Sequence, residues 1–227
     1  SRKTLKLKDK KKLNKFKEIF IIHQCLDDNS FINSSKLNCR YFNNLPDWLE
    51  KKGKKVYRLP WLFNVKKSKK EVYKKFRDFN CFVPIDWINS IDFFMSLYRS
   101  VMSFRAIRYD IKFKDINIYF LLKRERLKQL REGASFSKFW CYYKALEKFS
   151  LNVNKLYFLS SFEMMVHEHV QNKFLNEKND RNFISIGYYH TIISRDFFAY
   201  HFSKDENNSL IFPHKVITNG ALGKKML

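Results

Sequence analysis

Glycine and proline are scarce in this chain of 227 residues, at 5 and 4, and the scarcity removes whole classes of function. There is no G-x-G-x-x-G after an apolar run and no G-x-x-x-x-G-K-[S/T]. The glycine-rich turns that cradle a dinucleotide or a triphosphate are therefore missing. Four cysteines, Cys25, Cys39, Cys81 and Cys141, form no C-x-x-C pair, which argues against a zinc site or a redox motif and fits free thiols in a reducing cytoplasm. His167-Glu168-His169 puts two histidines two residues apart, on different sides of a helix, whereas an H-E-x-x-H protease needs them four apart on one side. Ser160-Ser161 lacks the G-x-S-x-G elbow of a hydrolase. Long apolar runs are also absent: Phe79 to Phe104 is broken by Asp86, Asp92 and Arg99, short of the ~18 uninterrupted residues of a spanning helix. The N-terminal stretch Ser1 to Lys17 is lysine-rich with no apolar segment of a signal peptide.

Acidic residues are few beside the basic ones, 22 against 45, for a formal charge of +23. Such a balance favours anionic partners: nucleic acid, nucleotides, phospholipid headgroups or acidic glycans. Of the basic residues 33 are Lys and 12 Arg, beside 19 Asn and 24 Phe, the set an AT-rich genome encodes. A selected phosphate-reading face would lean towards the bidentate Arg, so compositional drift and a selected basic face both stand. With 45% hydrophobic and 18% aromatic residues, the chain has ample material for a packed core.

Along the chain, residues 1 to 15 read as a solvated basic tail. Glu18-Ile19-Phe20-Ile21-Ile22 is a buried strand, followed by an Asp27-Asp28-Asn29-Ser30 loop. Pro46 and Asp47 open a helix that Gly53 closes, and Lys54 to Leu59 restarts as a strand. In the middle, Trp87, Ile91, Phe94, Tyr98 and Val101 fall at helical spacing, with Ile88, Met95 and Met102 beside them. A stripe of this kind is expected to be buried, a membrane-interface surface being the other reading. Leu121 to Arg131 and Phe136 to Phe149 are two further helices, and the stripe of the second (Phe139, Tyr143, Leu146, Phe149) reads as core. Strand and helix then alternate: strand 155 to 159, helix 164 to 176, strand 183 to 187, and strand 215 to 218 before Asn219-Gly220. This pattern predicts an α/β, Rossmann-like three-layer domain with a mostly parallel sheet and a helical insertion at about 79 to 150.

Open parallel sheets bind ligands beyond the carboxyl ends of their strands. The residues there are unusually polar: His23, Gln24, Asp27 and Asp28; Ser160, Ser161 and Glu163; Gly187, Tyr188, Tyr189, His190 and Thr191; Asn219 and Gly220. His190 is suited to proton transfer near neutral pH, or else bonds a loop backbone. Glu163 is a general base or a residue favoured by a helix N-terminus. Gly187 permits a positive φ or a close backbone approach to a ligand.

The run Leu156 to Leu159, then Phe162-Glu163, Ile184 to Thr191 (I-S-I-G-Y-Y-H-T), Phe197 to Tyr200 and Pro213 to Gly220 (P-H-K-V-I-T-N-G) resembles bacterial surface-carbohydrate (O-antigen or capsule) biosynthesis proteins of GT-B glycosyltransferase-like layout. It covers 155 to 220 well and 41 to 60 loosely. An acidic residue expected just before Phe162-Glu163 is replaced by serine. The resemblance implies the N-terminal, acceptor-side half of a GT-B architecture over 16 to 212, with 213 to 227 entering a second, truncated domain, so that the chain is a fragment expected to be inactive alone, half the cleft being missing. It implies a glycosyltransferase that moves a sugar from a nucleotide-sugar donor to a glycan or lipid-linked acceptor. His190 and Glu163 would be catalytic, with Gly187, Thr191, Asn219, Gly220 and Asp27 lining the substrate cleft. No metal or other cofactor is expected, since helix N-termini and basic side chains can hold the leaving phosphate and no D-x-D motif occurs. The setting would be the cytoplasm, with peripheral contact at the inner membrane.

Two other readings differ in class. A basic nucleic-acid-binding module would use the charge for phosphates and the aromatics for base stacking. The aromatics, however, sit at core spacings and no nucleic-acid motif occurs. A noncatalytic scaffold on the same fold is the third.

Overall fold

The computed structural model describes residues 18–31, 37, 39, 41–66, 68–76, 78–102, 110–131, 135–151, 153–163, 165–178, 182–190, 211–218 and 220. The basic tail, Thr191, Asn219, the aromatic stretch 197 to 200 and the helix expected after Gly220 lie outside them. Five parallel strands make the main sheet: β1 (Ile19–Leu26), β2 (Lys55–Leu62), and, after a helical segment, β5 (Lys155–Ser161), β6 (Asn182–Tyr189) and β7 (Lys215–Thr218). Their spatial order is β2-β1-β5-β6-β7. The chain is α/β with a Rossmann-like three-layer build. The order reverses at β1, which pairs with β2 on one side and β5 on the other, so the ligand crevice of such a sheet lies beyond the ends of β1 and β5.

Alternation along the strands divides the core in two. Ile19 and Ile21 of β1, Tyr57 and Leu59 of β2, and Leu156 and Phe158 of β5 pack on one face against Ala145, Leu146 and Phe149 of α5 (Ser135–Ser150) and Phe174 and Leu175 of α6 (Val166–Glu177). Ile22, Leu26 and Val56 pack on the other face with Val72 and Phe76 of α2 (Lys69–Phe76), and Leu45 and Leu49 of α1 (Leu45–Lys51) lean on the same cluster. α1 begins at a proline-containing turn and is followed by Gly53 at φ 73, as the sequence pattern predicts. Buried Arg58 on β2 binds it, with Asp47 at 2.6 Å and Glu50 at 2.9 Å.

Between β2 and β5 lie α3 (Ser90–Met102), a small antiparallel pair β3 (Lys112–Phe113) and β4 (Ile116–Asn117), and α4 (Tyr119–Arg131). The hairpin, turned by Lys114 and Asp115 at positive φ, carries none of the Asn-Gly or Asp-Gly signals that betray such turns in a sequence.

The expected burial of the aromatic stripe on α3 is overturned. Trp87 is buried, but it precedes the helix, while Ile91 is 71%, Phe94 68%, Tyr98 58% and Val101 62% exposed. What α3 buries is Ser96 and Ser100. These small residues form its seam with α5: the Ser137 hydroxyl donates to the Ser96 carbonyl at 3.2 Å, Lys148 pairs with Asp92, and the Arg99 guanidinium lies 4.1 Å from the Trp140 ring centre. Helical spacing identifies a stripe but not the side it faces; here a polar, small-residue side makes the contact. By contrast Leu146 and Phe149 of α5 are core, as read from the sequence. Among the described residues no helix is long and apolar enough to cross a membrane.

Candidate functional site at the carboxyl edge of the sheet

Several strands run further than the sequence suggests, which draws polar residues expected in loops into the sheet. His23 and Gln24 belong to β1, Ser160 and Ser161 to β5, and Gly187 to Tyr189 to β6. Asp27 follows β1, and its carboxylate accepts the Ser30 backbone N–H at 3.0 Å and hydroxyl at 3.1 Å, capping the Asp28–Phe31 turn. Gly220 has φ 81 with open space where a Cβ would stand, so the left-handed backbone alone favours glycine there.

Gly187 is neither at positive φ nor open. A Cβ there would meet Pro213 at 3.0 Å and Phe162 at 3.1 Å. The missing side chain therefore lets two protein segments cross β6, which accounts for this glycine without a ligand.

Glu163 and His190, far apart in sequence, are brought together. β5 and β6 pair in register through Ser161 and Tyr188, so the residues just beyond their ends are neighbours, and His190 Nε2 stands 3.2 Å from Glu163 Oε1. The Tyr41 ring packs on the imidazole with centres 4.0 Å apart. Beside them Tyr41, Phe42, Leu159, Ile186, Tyr188 and Ile217 line a hollow of about 240 Å3. The pair is partly exposed, 18% for the His190 side chain and 26% for Glu163, with His190 Nδ1 buried and Nε2 turned to Glu163, and it stands next to an apolar wall.

Glu168, which carries no motif in the sequence, anchors this edge. In the first turn of α6, its fully buried carboxylate accepts the Ser161 hydroxyl at 2.9 Å, the Glu163 N–H at 2.9 Å and the Met165 N–H at 3.2 Å. Burial pushes its pKa up to about 7, the nearby Glu163 charge adding to the rise while the three hydrogen bonds oppose it. Glu168 thus fixes the backbone of Glu163, a positioning role legible only as a Glu three residues after a cap position that lacks the usual Ser or Thr.

A second cluster fills the interior below the crevice. The Tyr142 hydroxyl donates to Gln171 at 3.2 Å, and Gln171 donates to Ser160 at 2.6 Å. His23 lies against His167, ring centres 4.9 Å apart, and His167 stacks on Trp61 at 4.2 Å. Lys138 Nζ sits 4.7 Å from the Trp61 ring centre. Burial, with the His167 charge, brings His23 down to about 3; burial, with Lys138 and His169, brings His167 down to about 4. Gln24, on the other face of β1, is 0% exposed, and neither of its amide atoms has a hydrogen-bond partner among the described residues; the same holds for Nε2 of His23 and of His167. Among the described residues no three His, Cys, Asp or Glu side chains are placed to hold a metal ion, and all four cysteines are free thiols. No family model, curated protein or solved structure matches the chain.

Proposed function

We propose that the carboxyl edge of this sheet is the acceptor side of a glycosyl-transfer site, in which His190 acts as general base and Glu163 orients it and stabilises the imidazolium as it forms. The observation that carries the reading is the 3.2 Å contact between His190 and Glu163 at the ends of two adjacent parallel strands. A histidine held by a carboxylate is a recurrent proton-accepting pair, and the residues on both sides of it are those that resemble the surface-carbohydrate biosynthesis proteins. The acceptor hydroxyl gives its proton to the pair at the Glu163 Oε1–His190 Nε2 contact, the ring's Nδ1 being buried, and its oxygen forms a bond to the anomeric carbon of a nucleotide sugar. The bond from that carbon to the nucleotide phosphate breaks, and the electron pair leaves with the phosphate. Tyr41 and the adjoining apolar hollow offer a ring-stacking wall of the kind sugars use. Glu168 holds Glu163 in place and Ser161 holds Glu168.

The test is a panel of nucleotide sugars incubated with the full-length protein and oligosaccharide or lipid-linked acceptors, transfer being read by mass spectrometry. A mass increment of one sugar residue, lost on replacing His190 with Ala, is the expected result. No increment from any donor, or an increment indifferent to His190→Ala and Glu163→Gln, overturns the reading.

A further inference from the structure

We propose that α3, the β3–β4 hairpin and α4 together form a docking face for an anionic lipid bilayer. Ile91, Phe94, Tyr98 and Val101 follow one another at spacings of three and four along the solvent side of α3, all more than half exposed. Helices of soluble domains turn such a stripe inward; this one is held the other way round by the Ser96–Ser100 seam and the Asp92–Lys148 and Arg99–Trp140 contacts. The same display continues down the chain. Phe113 (62%), Ile116 (67%), Phe120 (76%) and Leu121 (64%) are exposed on the hairpin and the first turn of α4. That is more contiguous apolar sequence in solvent than a free surface normally carries.

The occupant is chosen by charge. Between residues 90 and 131 the chain has ten Lys and Arg against four Asp and Glu. Lys112, Lys114, Lys123, Arg124 and Lys128 are exposed among the apolar residues, with Lys114 5.8 Å from the Phe113 ring centre and Lys123 5.7 Å from that of Tyr119. Cations interleaved with rings and aliphatic side chains suit the boundary between phosphate headgroups and acyl chains, where the apolar groups sink and the amines stay at phosphate level. A second copy of the chain fits less well, because a two-fold contact would set this basic face against itself. Nucleic acid would use the cations but leave the aliphatic stripe in water. On its other flank α3 contributes Phe93 and Leu97 to a largely apolar groove of about 600 Å3 that also includes Trp61 and Lys138, so apolar surface continues from the exposed helix into the protein. Nothing in this inference depends on the sugar-transfer reading.

The experiment is flotation of the whole chain with vesicles of phosphatidylcholine alone and of phosphatidylcholine mixed with phosphatidylglycerol, at low and high salt. The expected result is roughly tenfold or stronger preference for the anionic vesicles, weakened by salt. A Phe94→Glu, Val101→Glu variant should lose roughly tenfold or more of the binding, since both side chains leave water only on docking. A Lys123→Glu, Arg124→Glu variant should abolish the preference for anionic over neutral lipid. All four positions are at the surface, and circular dichroism confirms that the variants fold. Failure to float with either vesicle overturns the proposal, as does binding that ignores both variants. It also falls if sedimentation shows a dimer that Phe94→Glu, Val101→Glu dissociates while vesicles remain unbound, for then a second copy covers the face.

Discussion

Two groups of histidine lie along the same edge of the sheet and are treated in opposite ways. His23 and His167 sit inside, against Trp61 and each other, with no hydrogen-bond partner on Nε2 of either ring among the described residues, and burial brings both far below the ordinary histidine range. His190 sits at the rim with its side chain 18% exposed and Nε2 at 3.2 Å from Glu163. Burial without a counter-charge removes a histidine from proton chemistry, whereas a carboxylate at the edge of a crevice keeps it there. The difference is one of position: His190 is one residue beyond its strand, and His23 is three residues inside its own.

The largest effect that should separate the two groups is on transfer. His190→Ala should lower the rate by about 10²–10⁴-fold without moving the thermal midpoint, while His23→Phe should leave the rate of transfer within a few-fold; steady-state rates on both variants check this. An equal loss in both would erase the distinction. Next comes Glu168→Ala, which strips the Ser161, Glu163 and Met165 donors of their acceptor and should cost about 2–3 kcal/mol of stability, measured by urea unfolding, with transfer falling as Glu163 loses its anchor.

Stability against pH sharpens the comparison further. The unfolded chain protonates His23 and His167 near 6.5 while the folded chain does so only near 3 and 4, so below pH 6.5 each histidine contributes stability that falls as the pH falls. Glu168 works the other way, because its folded value near 7 lies above the unfolded 4.5; between those limits its contribution rises as the pH falls. Between pH 6.5 and 4.5 two histidines against one glutamate leave a net loss of about 1.4 kcal/mol per pH unit on acidification, and His214, lowered by burial, adds to the loss. In a His23→Phe, His167→Phe double variant this loss should disappear, since Glu168 then offsets His214, which urea midpoints at several pH values will show. The smallest effect belongs to Gln24→Leu. With both amide atoms unpartnered in the folded chain, the apolar replacement should change stability by less than about 1 kcal/mol in either direction. A loss well above that would mean that Gln24 holds something in the crevice.

The alternation of strand and helix, the Pro46-to-Gly53 helix, the α5 core residues and the polar residues at the strand ends were all legible from residue pattern, because period, propensity and turn chemistry act within a few residues of each other. The Glu163–His190 pairing was legible only as two separate candidates. Glu168 was legible only inside a His-Glu-His triplet set aside as a metal motif, and Tyr41 only inside the loosely matching stretch 41 to 60, because each acts through a partner supplied by the fold.

Sequence alone therefore determined that this chain builds an α/β domain with polar residues gathered at the strand ends, since those properties follow from local hydrophobic period and backbone preference. Tertiary structure alone decided which of those residues meet, which histidines are silenced by burial, why Gly187 must lack a side chain, and that the stripe on α3 faces outward. Each of these depends on which surfaces touch, and a serine seam on one side of a helix can outweigh an apolar stripe on the other when ion pairs and close packing select it.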